Sequence, residues 1–285
     1  VVVGNAPQVA WWGDVPEGDT IFRAARTLHQ ALAGETVTAV ATTVGQVRAL
    51  GEQRLVGQTV REVEPRGKHL LIWFTPGGLA LHSHMRMTGS WHLYRHGQRW
   101  RKPRHLLRFR LETADWLALC FSAPVIELLS ADQVARHPAL AALGPDALDT
   151  APDLDEARRR LDARADATIG EALLDQRVVA GIGNVYKNEV LFIHRVDPWT
   201  PVAEVDHATR DALLDTAVAL LRRNVRPGQV RRVTTGAGGA GDDLFVYGRH
   251  RRPCPRCQRP IAVARQGDQG RLTYWCRSCQ GPGRP

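Results

Sequence analysis

The sequence predicts an α+β protein of several modules, and three observations carry that prediction. Residues 36 to 130 alternate short stretches rich in Val, Leu, Trp and Thr with Gly and Pro. Residues 154 to 226 carry apolar positions at helical spacing. Two Cys-x-x-Cys pairs lie in the last 32 residues. At 285 residues the chain exceeds one small domain, so two or three modules are expected.

The elements follow in order. Asp19 is placed to cap a helix over residues 20–33, with Ile21, Ala24, Ala25, Leu28 and Leu32 on one face and Gly34 ending it. TVTAVATTV, HLLIWFT, GLALHSHM, GSWHLY, HLLRFRLE and WLALCFS read as strands of a sandwich or barrel. Cys120, alone in LALCF, reads as a small buried hydrophobe. The Ala/Pro/Asp-rich segment 131–153 reads as a connection with a short helix. Helices are expected over 154–163, 168–179, 184–192 and 206–223, punctuated by Pro198, Pro201 and Pro227. RRVTTGAGGAGDD (231–243) has no core-forming residue after Val233 and reads as a flexible loop. The resulting boundaries are an extension over 1–15, a first domain over 16–132, a helical module over 133–230, and a loop with the cysteine module over 231–285.

The formal net charge is +9, from 38 basic and 29 acidic residues. Such an excess favours a polyanionic partner. No apolar stretch approaches the ~18 residues of a membrane span, and no basic helix with a large aromatic face stands out, so nucleic acid is favoured over a membrane surface. VVVGNAPQVAWWGDV lacks the basic and long apolar segments of a secretory signal, and a cytoplasmic protein is expected.

The strongest motif is Cys254-Pro-Arg-Cys257, followed after 18 residues by Cys276-Arg-Ser-Cys279. Four thiolates from two tight turns close a tetrahedron around Zn2+. PIAVARQGDQGRLTYWC between them reads as strand, turn, strand, a zinc-held hairpin. Disulfides or a redox Cys-x-x-Cys are the alternatives; a disulfide-poor chain and the paired spacing argue against them. Arg271 at the hairpin tip, with Arg249, Arg251, Arg252, Arg256 and Arg265, has the density expected of phosphate contacts, although any one of them is equally a solvated charge.

In DQRVVAGIGNVYKNEVLF (175–192), Gly181-Ile-Gly183 makes a tight turn and Asn184 is placed to cap a new helix. A helix N-terminus offers free N–H groups to phosphate. Tyr186 stands at the third glycine position of a dinucleotide fingerprint, which excludes that function. His82 and His84 could suggest a metal pair, but no third ligand is visible nearby, and packing or DNA contact is expected instead. Pro16-Glu17-Gly18 is, by its residues alone, a loop before a helix. An N-terminal proline would differ: its secondary amine titrates near pH ~8 and attacks a sugar C1′ to form an iminium, and the carboxylate of Glu17 beside it moves protons.

PEGDTIFRAARTLHQAL, RGKHLL, HSHMRMTGSW, DQRVVAGIGNVYKNEVLF and VYGRHRRPCPRC…GRLTYWCRSCQ, in this order over residues 16–280, resemble the formamidopyrimidine-DNA glycosylase / endonuclease VIII family, the PEGD opening being closer to endonuclease VIII. The resemblance implies an N-terminal β-sandwich with its leading helix, a helix-two-turn-helix module and a C-terminal zinc-finger β-hairpin. It implies a monomeric bifunctional DNA glycosylase / abasic-site lyase of base-excision repair, acting on double-stranded DNA in the bacterial cytoplasm, at the nucleoid. Pro16 then matches the Schiff-base nucleophile, Glu17 the general acid/base, and Lys68 the lysine near the lesion phosphate. Asn184 and Arg271 match the phosphate grips, and Met87 the wedge that fills the emptied duplex position. Cys254, Cys257, Cys276 and Cys279 hold one structural Zn2+.

Three departures bear on the activity. Fifteen residues precede Pro16. A valine codon serves as a bacterial start, so initiation at Val15 and removal of that residue are expected to expose Pro16 and leave residues 1–15 out of the mature chain. Thr20 stands where the purine-acting branch carries a second glutamate, and FSAPVIEL (121–128) lacks that branch's Arg-x-Phe plug. Both move the expected lesion toward oxidised pyrimidines or abasic sites. The alternatives are a glycosylase for oxidised purines, or a non-catalytic DNA-binding protein if Pro16 is blocked.

Overall fold

The computed structural model describes residues 16–229, 231–236 and 242–283. Residues 1–15, and with them the expected start at Val15, lie outside the described residues. Two compact units are distinguished. One holds Pro16 and Thr20–Ala141; the other holds Glu17–Asp19 and the chain from Ala142 onward.

The first unit is a sandwich rather than a barrel, because its strands form two separate antiparallel sheets. Helix α1 (Gly18–Leu32) leads into it. One sheet has the order β1 (Ala39–Thr42), β6 (Leu107–Glu112), β7 (Trp116–Phe121), β5 (Ser90–Arg95). The other has the order β2 (Thr59–Arg66), β3 (His69–Thr75), β4 (Leu79–His84), β8 (Val125–Ser130). Period-two alternation sends Leu70, Ile72, Phe74, Leu79 and Leu81 inward against Trp91, Phe109, Leu111 and Cys120 of the first sheet. The predicted apolar face of α1 joins this core at all five of its positions, from Ile21 to Leu32. Cys120 is fully buried, as its apolar run predicts, and burial pushes its thiol far above the ordinary range.

Two of these strands escaped the sequence pattern. β2, TVREVEPR, is an edge strand with charged side chains and a proline, and its alternation is half masked by its exposed face. β8 is the other edge of the same sheet. Short helices α2 (Gly45–Ala49), α3 (Ala131–Ala135) and α4 (Pro138–Ala141) complete the unit, α3 starting at a capping box between Ser130 and Gln133.

The second unit packs α5 (Leu154–Asp162), α6 (Ile169–Ala172), α7 (Asn184–Ile193) and α8 (His207–Asn224) around Leu161, Leu173, Val179, Tyr186, Val190, Leu214 and Leu221. The helix expected over 168–179 ends at Ala172. The side chain of Gln176 explains the break: it donates to the carbonyls of Leu174 and Ile182 and accepts from the N–H of Gly181, so it organises successive turns instead. Leu173, Val178 and Val179 are buried all the same. The pattern located the core and misjudged the backbone. After α8 comes the cysteine module, an antiparallel hairpin of β9 (Ala262–Gln266) and β10 (Arg271–Trp275) followed by the short α9 (Arg277–Gln280).

Two capping expectations are corrected. Asp19 does not cap α1; it lies in the first turn, and its carboxylate is engaged by Arg232. Asn184 does not cap α7; it is the helix's first residue, and the cap position falls on Gly183, which has no side chain to accept the free N–H groups.

Candidate active site and nucleic-acid interface

The N–H groups left open at the start of α7 are met by Glu17, 168 positions away in sequence. Its Oε1 accepts from the N–H of Val185 at 2.7 Å and its Oε2 from that of Tyr186 at 3.4 Å. The positive end of a helix favours a carboxylate there. Glu17 is buried, only 1% exposed. Its approach accounts for the glycine at 183: a Cβ there would stand 2.2 Å from the Glu17 Cδ. The backbone of Gly183 is extended (φ −120°), so space, not conformation, demands the glycine. One residue on, the N–H of Gly18 donates to the carbonyl of Gly181 at 2.9 Å, and a Cβ on Gly18 would lie 2.8 Å from the Gly181 Cα. The Gly-Ile-Gly turn is therefore shaped to receive the Glu17-Gly18 segment, and so fixes the residue that follows Pro16.

Arg232 closes this arrangement. Its Nη2 lies 2.6 Å from Oδ1 of Asp19 and its Nε 3.1 Å from Oδ2, a two-pronged pair sealed from water on both sides. Burial works against the guanidinium charge, but Asp19 and Glu17 outweigh it and hold Arg232 above its ordinary range. The ring of Tyr186 lies beneath the guanidinium, 5.3 Å away. Burial and the charge of Asp19 keep the Tyr186 hydroxyl protonated, well above the usual tyrosine range.

The Gly-rich stretch is therefore not featureless where it is described. Arg232 and Thr234 are buried, and Asn224 receives the N–H of Val233 at 2.8 Å. Thr234 donates to Glu189, which also accepts the N–H groups of Phe245, Val246 and Tyr247. Both ends of the stretch are thus anchored, while residues 237–241 lie outside the described residues. Burial raises the Glu189 carboxyl, and these donors pull it back.

Asn184 and Arg271, both expected at phosphates, are brought together. Asn184 donates through Nδ2 to the carbonyl of Leu272 at 2.8 Å, next to Arg271 in β10. Asn188, one turn along α7, accepts from the N–H of Tyr274 at 2.7 Å. Between them Lys187, fully buried, donates to Oγ1 of Thr273 at 2.6 Å. Thr273 donates to Gln266, and Gln266 to Thr168, so helix and hairpin are laced together through polar groups. Burial lowers the Lys187 ammonium to about 7, against the pull of Glu17 and Glu171.

Among the arginines expected at phosphates, Arg256 has a bonding role within the fold. It donates to the carbonyls of Phe192 and Ile193 at 2.5 and 2.9 Å, satisfying the open C-terminal end of α7. Arg249 pairs with Asp242. Arg265 donates to the carbonyl of Gly270 across the hairpin turn.

The four cysteines converge, each offering a sulfur within 4.8 Å of the others, with none in a disulfide. Cys254 and Cys279 sulfurs are 3.9 Å apart and those of Cys257 and Cys276 3.4 Å. A tetrahedral site with Zn–S of ~2.3 Å needs sulfurs about 3.8 Å apart, so this donor set suits zinc.

In the first unit, Lys68 follows Gly67, which takes φ 57° to turn β2 into β3. Met87 lies between β4 and β5 and is 51% exposed, whereas Met85 is a core residue. Thr88 ties this loop to the carbonyl of Ser122 at 3.0 Å. The connection of β7 to β8 is only Ser122–Pro124, too short to project a plug of its own. His69 and His84 pair across β3 and β4 and stack at 4.5 Å. Burial lowers His84 to about 4, with the Lys68 charge adding to it, and burial with the neighbouring histidines takes His69 to about 2. The expectation that His82 lacks further ligand-type neighbours is wrong. Glu127, directly across the strand pair, and His137, from the α3–α4 connection, join it.

A two-sheet sandwich, a helical module whose Gly-Ile-Gly turn seats a buried glutamate, and a four-cysteine hairpin define a multidomain α+β protein with a cysteine metal module. Comparison with known proteins makes this specific. Residues 15–124 match the formamidopyrimidine-DNA glycosylase N-terminal domain, and residues 143–234 the formamidopyrimidine-DNA glycosylase H2TH domain. A probable endonuclease 8 2 of Streptomyces coelicolor is 48% identical, across 94% of this chain and 95% of that protein. The DNA-(apurinic or apyrimidinic site) lyase Nei2 of Mycolicibacterium smegmatis is 39% identical, across 93% and 99%. Among solved structures, Lactococcus lactis Fpg (MutM) in complex with an oxidized pyrimidine containing DNA superimposes with a TM-score of 0.78 at 25% identity, across 93% and 99% of the two chains. The chain belongs to the formamidopyrimidine-DNA glycosylase / endonuclease VIII family.

Proposed function

We propose that this DNA glycosylase and abasic-site lyase of base-excision repair removes oxidised pyrimidines from double-stranded DNA through the secondary amine of Pro16. The amine attacks C1′ of the flipped nucleotide, and the base leaves with its bonding electrons. Glu17 takes the proton that the attacking amine releases and delivers it to the ring oxygen as the sugar opens, and an iminium links Pro16 to C1′. Loss of a C2′ proton then expels the 3′ phosphate, and elimination at the 5′ side follows. Water releases the enzyme amine. Lys68, Asn184 and Arg271 hold the phosphates around the lesion, and Met87 occupies the space the base vacates. Zn2+ on Cys254, Cys257, Cys276 and Cys279 is structural, fixing the hairpin that carries Arg271. The protein acts as a monomer, on the bacterial nucleoid.

The observation that carries this proposal is the seating of Glu17. A buried carboxylate held by the first N–H groups of α7 stands immediately after Pro16. The names of the two actinobacterial relatives support the activity class. The preference for pyrimidines is supported by Thr20 and by the short Ser122–Pro124 turn.

The chemistry needs a free amine at Pro16, because an amide nitrogen inside a chain is not basic. Borohydride trapping on an abasic duplex, with protein beginning at Pro16 beside protein beginning at Val1, tests it. An adduct formed by the first alone supports the mechanism. No adduct from either leaves a DNA-binding protein without catalysis. Matched duplexes carrying oxidised thymine or oxidised guanine then test the lesion preference, and faster removal of the guanine lesion reverses it.

A further inference from the structure

The sandwich carries a second convergence of metal-ligand side chains, remote in sequence from the cysteines. β4 and β8 pair His82 directly with Glu127, on the sheet face opposite the sandwich core. His82 Nδ1 is 2.7 Å from Glu127 Oε2, and His137 Nε2 is 3.1 Å from the same oxygen. One ligand atom from each residue lies within 4.8 Å of the other two. Two imidazoles and a carboxylate thus face one point.

The three side chains are fixed before any ion arrives. Two are cross-strand neighbours in a four-stranded sheet. The third sits where its own carbonyl accepts the first free N–H groups of α4, from Leu140 at 3.0 Å and Ala141 at 2.8 Å. His82 is buried, 1% exposed, and its other ring nitrogen meets Nδ1 of His69 at 2.8 Å. Histidine ligands are characteristically held this way, with the distal nitrogen bonded to a fixed partner that sets the tautomer.

We propose that His82, Glu127 and His137 form a binding site for a borderline divalent cation such as Zn2+, with His69 orienting His82 and a fourth position left to water. Two imidazoles and one carboxylate suit zinc, cobalt or nickel rather than magnesium or calcium, which prefer oxygen. The ligand atoms need to separate to about 3.3 Å for zinc bonds of ~2.0–2.1 Å, a shift of about 0.6 Å from the 2.7 Å separation and about 0.2 Å from the 3.1 Å one. When the cation binds at Nδ1 of His82, the proton on that ring moves to Nε2 and is donated to His69, whose own proton passes to its outer nitrogen. No proton is lost from the pair, and His137, which also donates to Glu127 through Nε2, shifts its proton to Nδ1 to free that nitrogen. The cation ties the α3–α4 connection to the outer face of the sheet.

The test is cobalt titration of the metal-free whole protein, followed by absorption and by native mass spectrometry. The first equivalent fills the four-cysteine site and gives the strong sulfur-to-cobalt band, and far-UV circular dichroism of the parent and the variants reports that the sandwich is folded. A second equivalent is expected to add visible d–d absorption without further sulfur-to-cobalt intensity. His137→Ala and Glu127→Gln are each expected to keep the first equivalent and lose the second, and zinc beyond one equivalent is expected to raise the melting temperature of the parent protein but not of the variants. A parent protein that stops at one equivalent, or a second equivalent that survives both substitutions, overturns the proposal and leaves the cluster held by protons alone.

Discussion

The helices α7 and α8 belong to one core, yet their N-termini are satisfied in opposite ways. α8 is capped locally: Asp206, just before the helix, accepts the N–H of Thr209 at 2.9 Å. α7 begins after a glycine and leaves its N–H groups to Glu17, from the far end of the sequence. A local cap serves its own helix. A cap from 168 positions away serves the residue that provides it, because the helix end becomes the fixed seat of a buried carboxylate. Disturbing the first should therefore cost stability alone, and disturbing the second should cost activity first.

The largest effect is expected from Gly183→Ala. The new methyl would meet Glu17 at 2.2 Å, and because the backbone at 183 is ordinary, the fold adapts by expelling the carboxylate. Base removal in single-turnover assays should fall ~10²-fold or more, the scale of a lost general acid, with far-UV circular dichroism unchanged. An alanine variant within a few-fold of the parent would show that the seat of Glu17 is immaterial to chemistry.

Next comes Arg232→Met. It leaves Asp19 buried without its guanidinium partner, and removing one member of a buried pair costs about 3–5 kcal/mol. Urea unfolding measures this. Asp19→Asn combined with Arg232→Met should recover part of the loss, because the charge that Asp19 buries is removed together with its partner.

Lys187 adds a dependence on pH. Its folded value of about 7 lies below the ~10.4 of an unfolded lysine. Between those values the unfolded chain binds the extra proton, so stability rises with pH across that window, and the full cost of burying the ammonium is present below about 7. Lys187→Met should be more stable than the parent at pH 6, by an amount on the order of a few kcal/mol, and the difference should shrink as pH rises toward 10. Parallel curves would mean that Lys187 stays charged in the fold.

The same contrast explains what was legible in the sequence. Segments whose burial alternates or repeats locally were readable: β3 falls on HLLIWFT, and the apolar face of α1 is the face that packs. The cysteine pairs announce their cluster by spacing alone. Long-range polar contacts leave no such trace. Nothing near Arg232 in a Gly-rich stretch points to Asp19, 213 positions away. The polar trio Lys187-Asn188-Glu189, set inside an apolar helix, was the available signal that α7 is buried on every side. The resemblance singles out Glu17 and Asn184 as candidate site residues, but only packing shows that one seats itself on α7 and the other braces the hairpin beside Arg271.

Asp206→Ala should have the smallest effect, and it is the control that gives the others meaning. It removes an N-cap from the longest helix described in its unit, so a loss of about 1 kcal/mol is expected in urea unfolding. Asp206 lies outside the cluster of Glu17, Gly183 and Arg232, and among the described residues its side chain bonds to Thr209 of its own first turn. Borohydride trapping and base removal should therefore match the parent below the melting transition. If this substitution reduced activity as Gly183→Ala does, loosening of the helical module would explain both, and the particular claim about Glu17 would lose its support. If it lowers stability and leaves turnover intact, the loss in Gly183→Ala belongs to the displaced carboxylate.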